Sequence, residues 1–389
     1  MSNRPRVYVA YTGGTIGMNL GDQGLESQPG LLADVFGVHP EFQPASNPNR
    51  PDFIIREYDD LIDSSNATPE DWYRIATDIK DRYDDFDGFV VLHGTDTLAY
   101  TSSALSFLLE NLAKPVVVTG SQIPAVQSRS DGISNIAASI ELAGNHPELH
   151  EVVVCFGSKI LRGNRTTKVS SQAFDAFDTP MVGNIGRVGI NIRVFPSRGR
   201  EERNRKLAAR GRCFVRKQRK TPIIGCIRLF PGISHKFVRS VLSSGLHGLV
   251  VEAYGAGNAP DRNIKLLEAL RTGVESGIVV VAVTQPLHGA ASLGAYQAGA
   301  ALREAGVTSG YDMTTEAAVT KLHYLLSSNA EVEKVRELMS RSLRGELAPI
   351  DADSEIPAWR LRPVEIAPFA LPEDEVIVVE EDDYSYYEE

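Results

Sequence analysis

Cysteine, tryptophan and methionine are scarce in this chain of 389 residues, at three, two and five copies. Cys155, Cys213 and Cys226 are odd in number and lack CxxC spacing, which excludes a disulfide framework and a thiolate metal cluster and suits a reducing cytoplasm. No apolar run approaches membrane-spanning length. The N-terminal run from Val7 to Tyr11 is too short for a signal-peptide core and ends in a glycine turn, so no export signal is expected. An excess of positive charge is missing too: the net charge is −10, which argues against nucleic acid or an anionic membrane as a general partner. Neither GxGxxG nor GxxxxGK[ST] occurs, so the two common phosphate-loop patterns are absent.

Composition is otherwise that of a globular protein, with 42% hydrophobic and 23% charged residues. The length allows two domains, each with a core of its own. The chain opens on VYVAYTGGTIG, Val7 to Gly17. A β-branched and aromatic run gives way there to Thr12-Gly13-Gly14-Thr15, as a buried first strand ends in a tight turn. Two glycines admit backbone angles closed to other residues, and two hydroxyls flank them. Such a loop is a plain turn, an anion cradle or a nucleophile site.

Met18 to Pro51 reads as a long loop with one short helix near Leu31 to Phe36, of the kind that serves as a lid or binding loop. Phe53 to Tyr58 reads as the second strand, ending in Asp63-Ser64-Ser65-Asn66. Thr68, Pro69 and Asp71 supply an N-cap, a proline at the first helical position and a carboxylate three residues after the cap. A helix therefore starts there and buries Trp72, Ile75, Ala76, Ile79 and Tyr83. Strands follow at Phe86 to Leu92, Pro115 to Thr119 and Glu151 to Phe156, with helices at Leu98 to Glu110 and Ile133 to Ala143. This alternation predicts a doubly wound, mainly parallel sheet of flavodoxin-like type. Ligands of such sheets sit beyond the carboxyl ends of the strands, so the polar loops share one crevice.

Lys159 to Asn164 and Gly186 to Val194 suggest a small antiparallel flap. From Ser197 to Lys220 eleven Arg or Lys face two Glu, which reads as a solvated basic linker. A second, smaller α/β unit runs from 221 to 348, with strands at Ile223 to Leu229, Gly248 to Ala253 and Ile278 to Thr284. Helices are expected at Val238 to Ser244, Arg262 to Glu275, Thr314 to Leu326 and Glu331 to Ser342. The domain plan is thus 1–196, a linker 197–220, 221–348, and a Pro- and acid-rich tail, 349–389, expected to be largely disordered.

The third strand runs straight into His93-Gly94-Thr95-Asp96-Thr97. Asp96 there can hold an ammonium group, or it can cap the next helix, the commoner use of such a residue. Thr95 can hydrogen-bond a ligand or be deprotonated by a nearby base. His93 reads as a structural hydrogen-bonding group.

Together, TGGTI and HGTDT resemble the L-asparaginase/glutaminase family of threonine amidohydrolases. Asp63-Ser64-Ser65 lies where that family binds the substrate α-carboxylate and α-amino groups, SKILRGNRTTK ends in Lys168 where it carries its lysine, and SGYDMTTEAAVTKLHYLL resembles its type I cytoplasmic branch. The resemblance spans Val7 to Leu347. It implies double displacement: Thr15 attacks the side-chain amide carbon, ammonia leaves, and water hydrolyses a β-acyl-threonine ester. It implies further that Thr95, Asp96 and Lys168 relay the proton, because a Thr hydroxyl at its free pKa is a poor nucleophile. Arg162 and Arg165 are candidates for tuning Lys168. Main-chain N–H groups at Gly94, Thr95 and the Gly13-Gly14 turn are candidates for an oxyanion hole. Gly14, Ser64, Ser65, Gly94, Thr95, Asp96 and Gln122 are the expected substrate contacts.

Many relatives carry a Tyr in the loop after TGGTI where this chain has Leu25; Tyr296 in GAYQAG is the expected substitute that orients Thr15. Asn258, in GAGN, reads equally as a turn former or as a residue that reaches a neighbouring subunit. The resemblance implies free L-asparagine as substrate, no metal or organic cofactor, and a homodimer or homotetramer. Two other readings stay open: the amidase subunit of a tRNA-dependent amidotransferase, served by the basic linker, and a non-catalytic Asn/Asp sensor.

Overall fold

A computed structural model describes residues 4–21, 24–43, 47, 50–195, 206, 209, 211–293 and 297–348. The acidic tail, most of the basic segment and Tyr296 lie outside the described residues.

The first half opens with β1 (Arg6–Tyr11), a hairpin β2 (Met18–Gly21) and β3 (Gly24–Ser27), α1 (Leu31–Val38), β4 (Asp52–Glu57), α2 (Pro69–Asp81) and β5 (Gly88–Leu92). It continues with α3 (Leu98–Leu108), β6 (Leu109–Glu110), β7 (Val116–Thr119), α4 (Gly132–Asn145), β8 (Val152–Phe156) and β9 (Lys159–Arg162). Short strands β10 (Thr167–Lys168), β11 (Phe177–Asp178), β12 (Gly186–Arg187) and β13 (Arg193–Val194) complete it. The second half holds β14 (Phe214–Val215), β15 (Ile224–Arg228), α5 (His235–Leu242), β16 (Gly248–Ala253), α6 (Ile264–Glu275), β17 (Val279–Thr284), α7 (Gln297–Glu304), β18 (Thr308–Ser309), α8 (Thr315–Ser327) and α9 (Val332–Met339).

The large sheet has the order β13-β12-β9-β8-β7-β5-β1-β4. Its strands β4, β1, β5, β7 and β8 are parallel, which is the flavodoxin-like order with its switch point between β1 and β5. The loops after those two strands are the ones that carry Thr15 and Thr95. The expected flap is instead the antiparallel margin of this sheet: β9 pairs with β8 and with β12, so the segment extends the sheet rather than covering it. The smaller sheet, β15-β16-β17-β18, is wholly parallel.

Valine-rich strands buried on both faces need helices on both sides. One face of the large sheet packs on α4 through Val7, Val9, Val90, Val117, Ile136 and Ile140. Its other face joins α2, α3, α8 and one face of the smaller sheet in a single core that includes Phe89, Leu105, Val281 and Leu322. The smaller sheet's remaining face packs on α5 and α6 through Leu249, Val280, Val238 and Leu270.

Further sequence expectations change. The Met18–Pro51 loop holds a hairpin, with Met18 paired to Ser27 and Leu20 to Leu25. The helix from Leu98 stops at Leu108, because Leu109–Glu110 turns out to pair with Phe214–Val215. That pairing also docks the described end of the basic segment, where Cys213 is buried, Arg216 Nε donates to Glu110 Oε1 at 2.7 Å and Arg212 pairs with Asp84 at 2.8 Å. Apolar Phe214 and Val215 give that stretch a short strand to form, while Arg212, Arg216, Lys217 and Arg219 keep their exposure to solvent. Helix α7 was missed because Ala and Gly fill it without an apolar stripe.

Candidate active site

Thr12 ends β1 by bonding back to β5: its N–H and its Oγ1 both donate to Leu92 O, at 3.0 and 2.8 Å. The chain then turns through Gly13 and Gly14 at positive φ into a 3₁₀ turn, Thr15–Gly17. A β-carbon on Gly14 would lie 2.4 Å from the Cα and N of Gly94, and one on Gly94 would lie 2.3 Å from Ser64 Oγ. Three loops remote in sequence are therefore in close contact here, two of them backbone to backbone, and Thr15, half-buried, and Thr95, buried, spring from adjoining turns. Two bonds clamp the 3₁₀ turn: Gly17 N–H to Gly14 O at 3.2 Å, and Ala125 N–H to Ile16 O at 3.0 Å.

Lys168 stands on β10, paired antiparallel with β11. Its Nζ donates to Thr95 Oγ1 at 2.9 Å and to Asp96 Oδ1 at 2.7 Å. Asp96 is 65% exposed at its side chain, so the carboxylate also faces open space. Helix α3 has Thr97 as its N-cap residue and no side-chain capping bond, so Asp96 does not serve as the cap. The next residue back, Thr167, donates its hydroxyl to Glu316 Oε1 at 2.7 Å. Burial, opposed in part by this bond, holds the Glu316 carboxyl above its ordinary range.

Ser64 and Ser65 sit in a 3₁₀ turn started by Asp63, whose carboxylate accepts from Ser65 N–H at 3.1 Å and Ser65 Oγ at 2.8 Å. Ser64 is buried against Gly94, and its carbonyl accepts from Thr97 Oγ1 at 2.7 Å. Gln122 is held at its side chain by Ala173 O, 3.1 Å from Nε2, while the N–H groups of Gln122 and Ile123 are both taken by Asp131.

His93 is buried with both ring nitrogens bonded. Nδ1 lies 2.8 Å from Gly94 O, which only accepts, so Nε2 accepts from Thr101 Oγ1 at 3.0 Å. Burial lowers its pKa, in keeping with a neutral structural ring. Arg162 and Arg165 do not stand beside Lys168 as unmatched charge. Arg162 is bidentate on Glu151, its Nη2 at 2.9 Å from Oε1, and Arg165 pairs with Asp312 at 2.9 Å.

Sequence reasoning missed Thr97, Asp131 and Glu316, which order the Ser64 loop, the Gln122 loop and β10. Thr97 and Asp131 carried a signal, a Thr and an Asp one residue before a helix, and that signal reads first as a cap. Among the described residues no group of His, Cys, Asp and Glu suited to a metal ion occurs, and no helix is long and apolar enough to cross a membrane.

A model of the asparaginase N-terminal domain matches residues 6–199, and one of the glutaminase/asparaginase C-terminal domain matches residues 224–339. L-asparaginase 1 of Escherichia coli K12 is 48% identical over 346 residues, covering 89% of this chain and 98% of that protein. Among solved structures, L-asparaginase I of Vibrio cholerae superposes with a TM-score of 0.78 at 43% identity, over 89% of this chain and 100% of its own. The thermostable L-asparaginase of Thermococcus kodakarensis does so with a TM-score of 0.75 at 32% identity, again over 89% and 100%. The fold is that of a two-part α/β amidohydrolase. The chain belongs to the asparaginase family.

Proposed function

We propose that this protein is an L-asparaginase that hydrolyses L-asparagine to L-aspartate and ammonia through a covalent threonine ester. The observation that supports it is Lys168 Nζ held between Thr95 Oγ1 and Asp96 Oδ1, beside the turn that bears Thr15. Thr15 Oγ1 attacks the side-chain amide carbon, and its proton passes by way of Thr95 and Lys168 to the departing nitrogen, which leaves as ammonia. Water then gives a proton to the same relay and attacks the ester, releasing aspartate and restoring Thr15. Asp96 holds the substrate α-ammonium, and Ser64 and Ser65 its α-carboxylate. Main-chain N–H groups at Gly94, Thr95 and the Gly13-Gly14 turn receive the oxyanion. Gln122 lines the crevice, and Tyr296 orients Thr15.

Steady-state ammonia release from Asn and from Gln, over a wide concentration range, tests the reading. Thr15→Ala is expected to lower kcat by about a thousandfold or more. Undiminished release in that variant would overturn the assignment, and full activity in Tyr296→Phe would remove Tyr296 from it. We further propose that the protein is cytoplasmic and assembles as a homodimer or homotetramer; a scattering mass equal to the 42.4 kDa chain would refute assembly.

A further inference from the structure

Lys321 and Glu346 form an ion pair that is wholly buried, with Nζ 2.8 Å from Oε1. The Lys321 ammonium also donates to Met339 O at 3.0 Å and Arg341 O at 2.6 Å. Glu346 in turn accepts the N–H groups of Leu343 and Arg344, each at 2.7 Å. A buried pair of this kind adds little net stability, because desolvation consumes most of the attraction. What it does do is fix a conformation, here that of residues 340–348 after α9.

The fixed segment aims its carbonyls at one place. Arg344 O accepts from Asn164 Nδ2 at 3.1 Å, and Gly345 O accepts from Arg165 Nε at 2.8 Å. Arg165 also donates through Nη1 to Asp312 O at 3.2 Å and pairs with the Asp312 carboxylate at 2.9 Å. Asp312 Oδ1 takes the N–H of Ala348 at 2.9 Å, so the C-terminal part of the segment reaches Arg165 directly at Gly345 and through Asp312 at Ala348. Asn164 and Arg165 belong to the 3₁₀ turn Gly163–Arg165, which is followed within two residues by β10 and Lys168. Arg165 is 1% exposed and the bonds it makes here lie outside the Thr95–Asp96–Lys168 cluster.

We propose that residues 340–348 are a strap that positions Lys168 for catalysis, with Arg165 as the positioning residue through which the strap acts. The inference rests on the reading of Lys168 as part of the proton relay. A guanidinium fork locked on two carbonyls and a carboxylate holds the turn in one orientation, which a lone hydrogen bond does not. The sensitivity required is ordinary, since misplacing a reacting group by about 1 Å costs on the order of a hundredfold in rate.

A double-mutant cycle between positions 165 and 168 tests it, with kcat and KM for Asn measured beside thermal unfolding. Arg165→Met is expected to lower kcat about 10- to 100-fold with KM changed less than about twofold, and Arg165→Lys to recover part of the loss. In a Lys168→Met background the same Arg165→Met change is expected to move the residual kcat less than about twofold, because nothing is left to position. Asn164→Ala, which breaks one strap bond without stranding a charge, repeats the cycle should Arg165→Met fail to fold. Losses that multiply with that of Lys168→Met, or an unchanged kcat in both strap variants, overturn the proposal. Full activity in Lys168→Met alone would instead overturn the relay reading and leave the strap without an object.

Discussion

At the scale of the residue, the site depends on positions where a side chain is forbidden as much as on those where one reacts. Gly14 has φ +94°, and the atoms a β-carbon would strike are main-chain atoms of Gly94. Gly30 has φ +80° with open space around it. Alanine at either position bears backbone strain of about 1–2 kcal/mol, but only at position 14 must two loops also move apart. Gly14→Ala is therefore expected to lower kcat/KM for Asn by about a hundredfold or more, and Gly30→Ala by no more than a few-fold. Steady-state assays of the two variants side by side would decide; equal effects would mean that strain alone, and not loop contact, governs the site. The glycine pair was plain in the sequence. Its contact with Gly94, eighty residues on, was not, since no local pattern reports which two turns meet.

At the scale of the element, α2 and α8 meet across the two halves of the chain, and His323 lies in that seam. Its ring packs edge-on to Trp72 at 5.7 Å and tilted to Tyr73 at 6.4 Å, while Nε2 is buried without a hydrogen-bond partner. Burial pushes its pKa down to about 4, against a weak opposing pull from Glu70. Protonation is thus disfavoured in the folded state, and between the ordinary value near 6.5 and about 4 the unfolded chain binds more protons. Stability present above pH 6.5 is lost as pH falls through that window, by roughly 2–3 kcal/mol for this one group. Urea unfolding at pH 7 and pH 4.5 checks it: His323→Gln should lose less stability than the parent over that interval, and parallel losses would dismiss the histidine as the cause. The elements themselves were largely legible where a cap or a period marked them. Asp71 accepts from Thr68 N–H at 2.8 Å and from its Oγ1 at 3.0 Å, the start signal read at Thr68-Pro69. The hairpin after Met18 was not legible, because its strands are four residues long and neither buries a face: the two middle residues of each are exposed.

At the scale of the whole molecule, residues up to 349 form one compact unit, and helix α3 shows why. All but one of its eleven residues are buried, so it has no solvent face. One side lies on the large sheet; the other meets α8, with Ser103 Oγ 2.8 Å from Thr320 Oγ1 and the Phe107 and Tyr324 rings stacked at 5.9 Å. A helix that is apolar or small all round already predicts burial on both sides. Its partner, though, lies more than two hundred residues away, and such a pairing has no local trace in one sequence. The consequence concerns autonomy. Residues 1–199, the span of the first family model with the N-terminus restored, would expose the α2–α3 face that α8 covers, and no polar stripe on α3 could take its place in water. That fragment is expected to collapse without fixed packing: retained far-UV circular dichroism, weak near-UV signal, strong binding of a hydrophobic dye, and no ammonia release from Asn. Adding residues 200–389 in trans should restore the near-UV signal, because the two halves share a core rather than touch at a surface. A fragment that unfolded cooperatively by itself, with native near-UV bands, would show that α3 tolerates solvent and that the shared core is not a condition for the first half to fold.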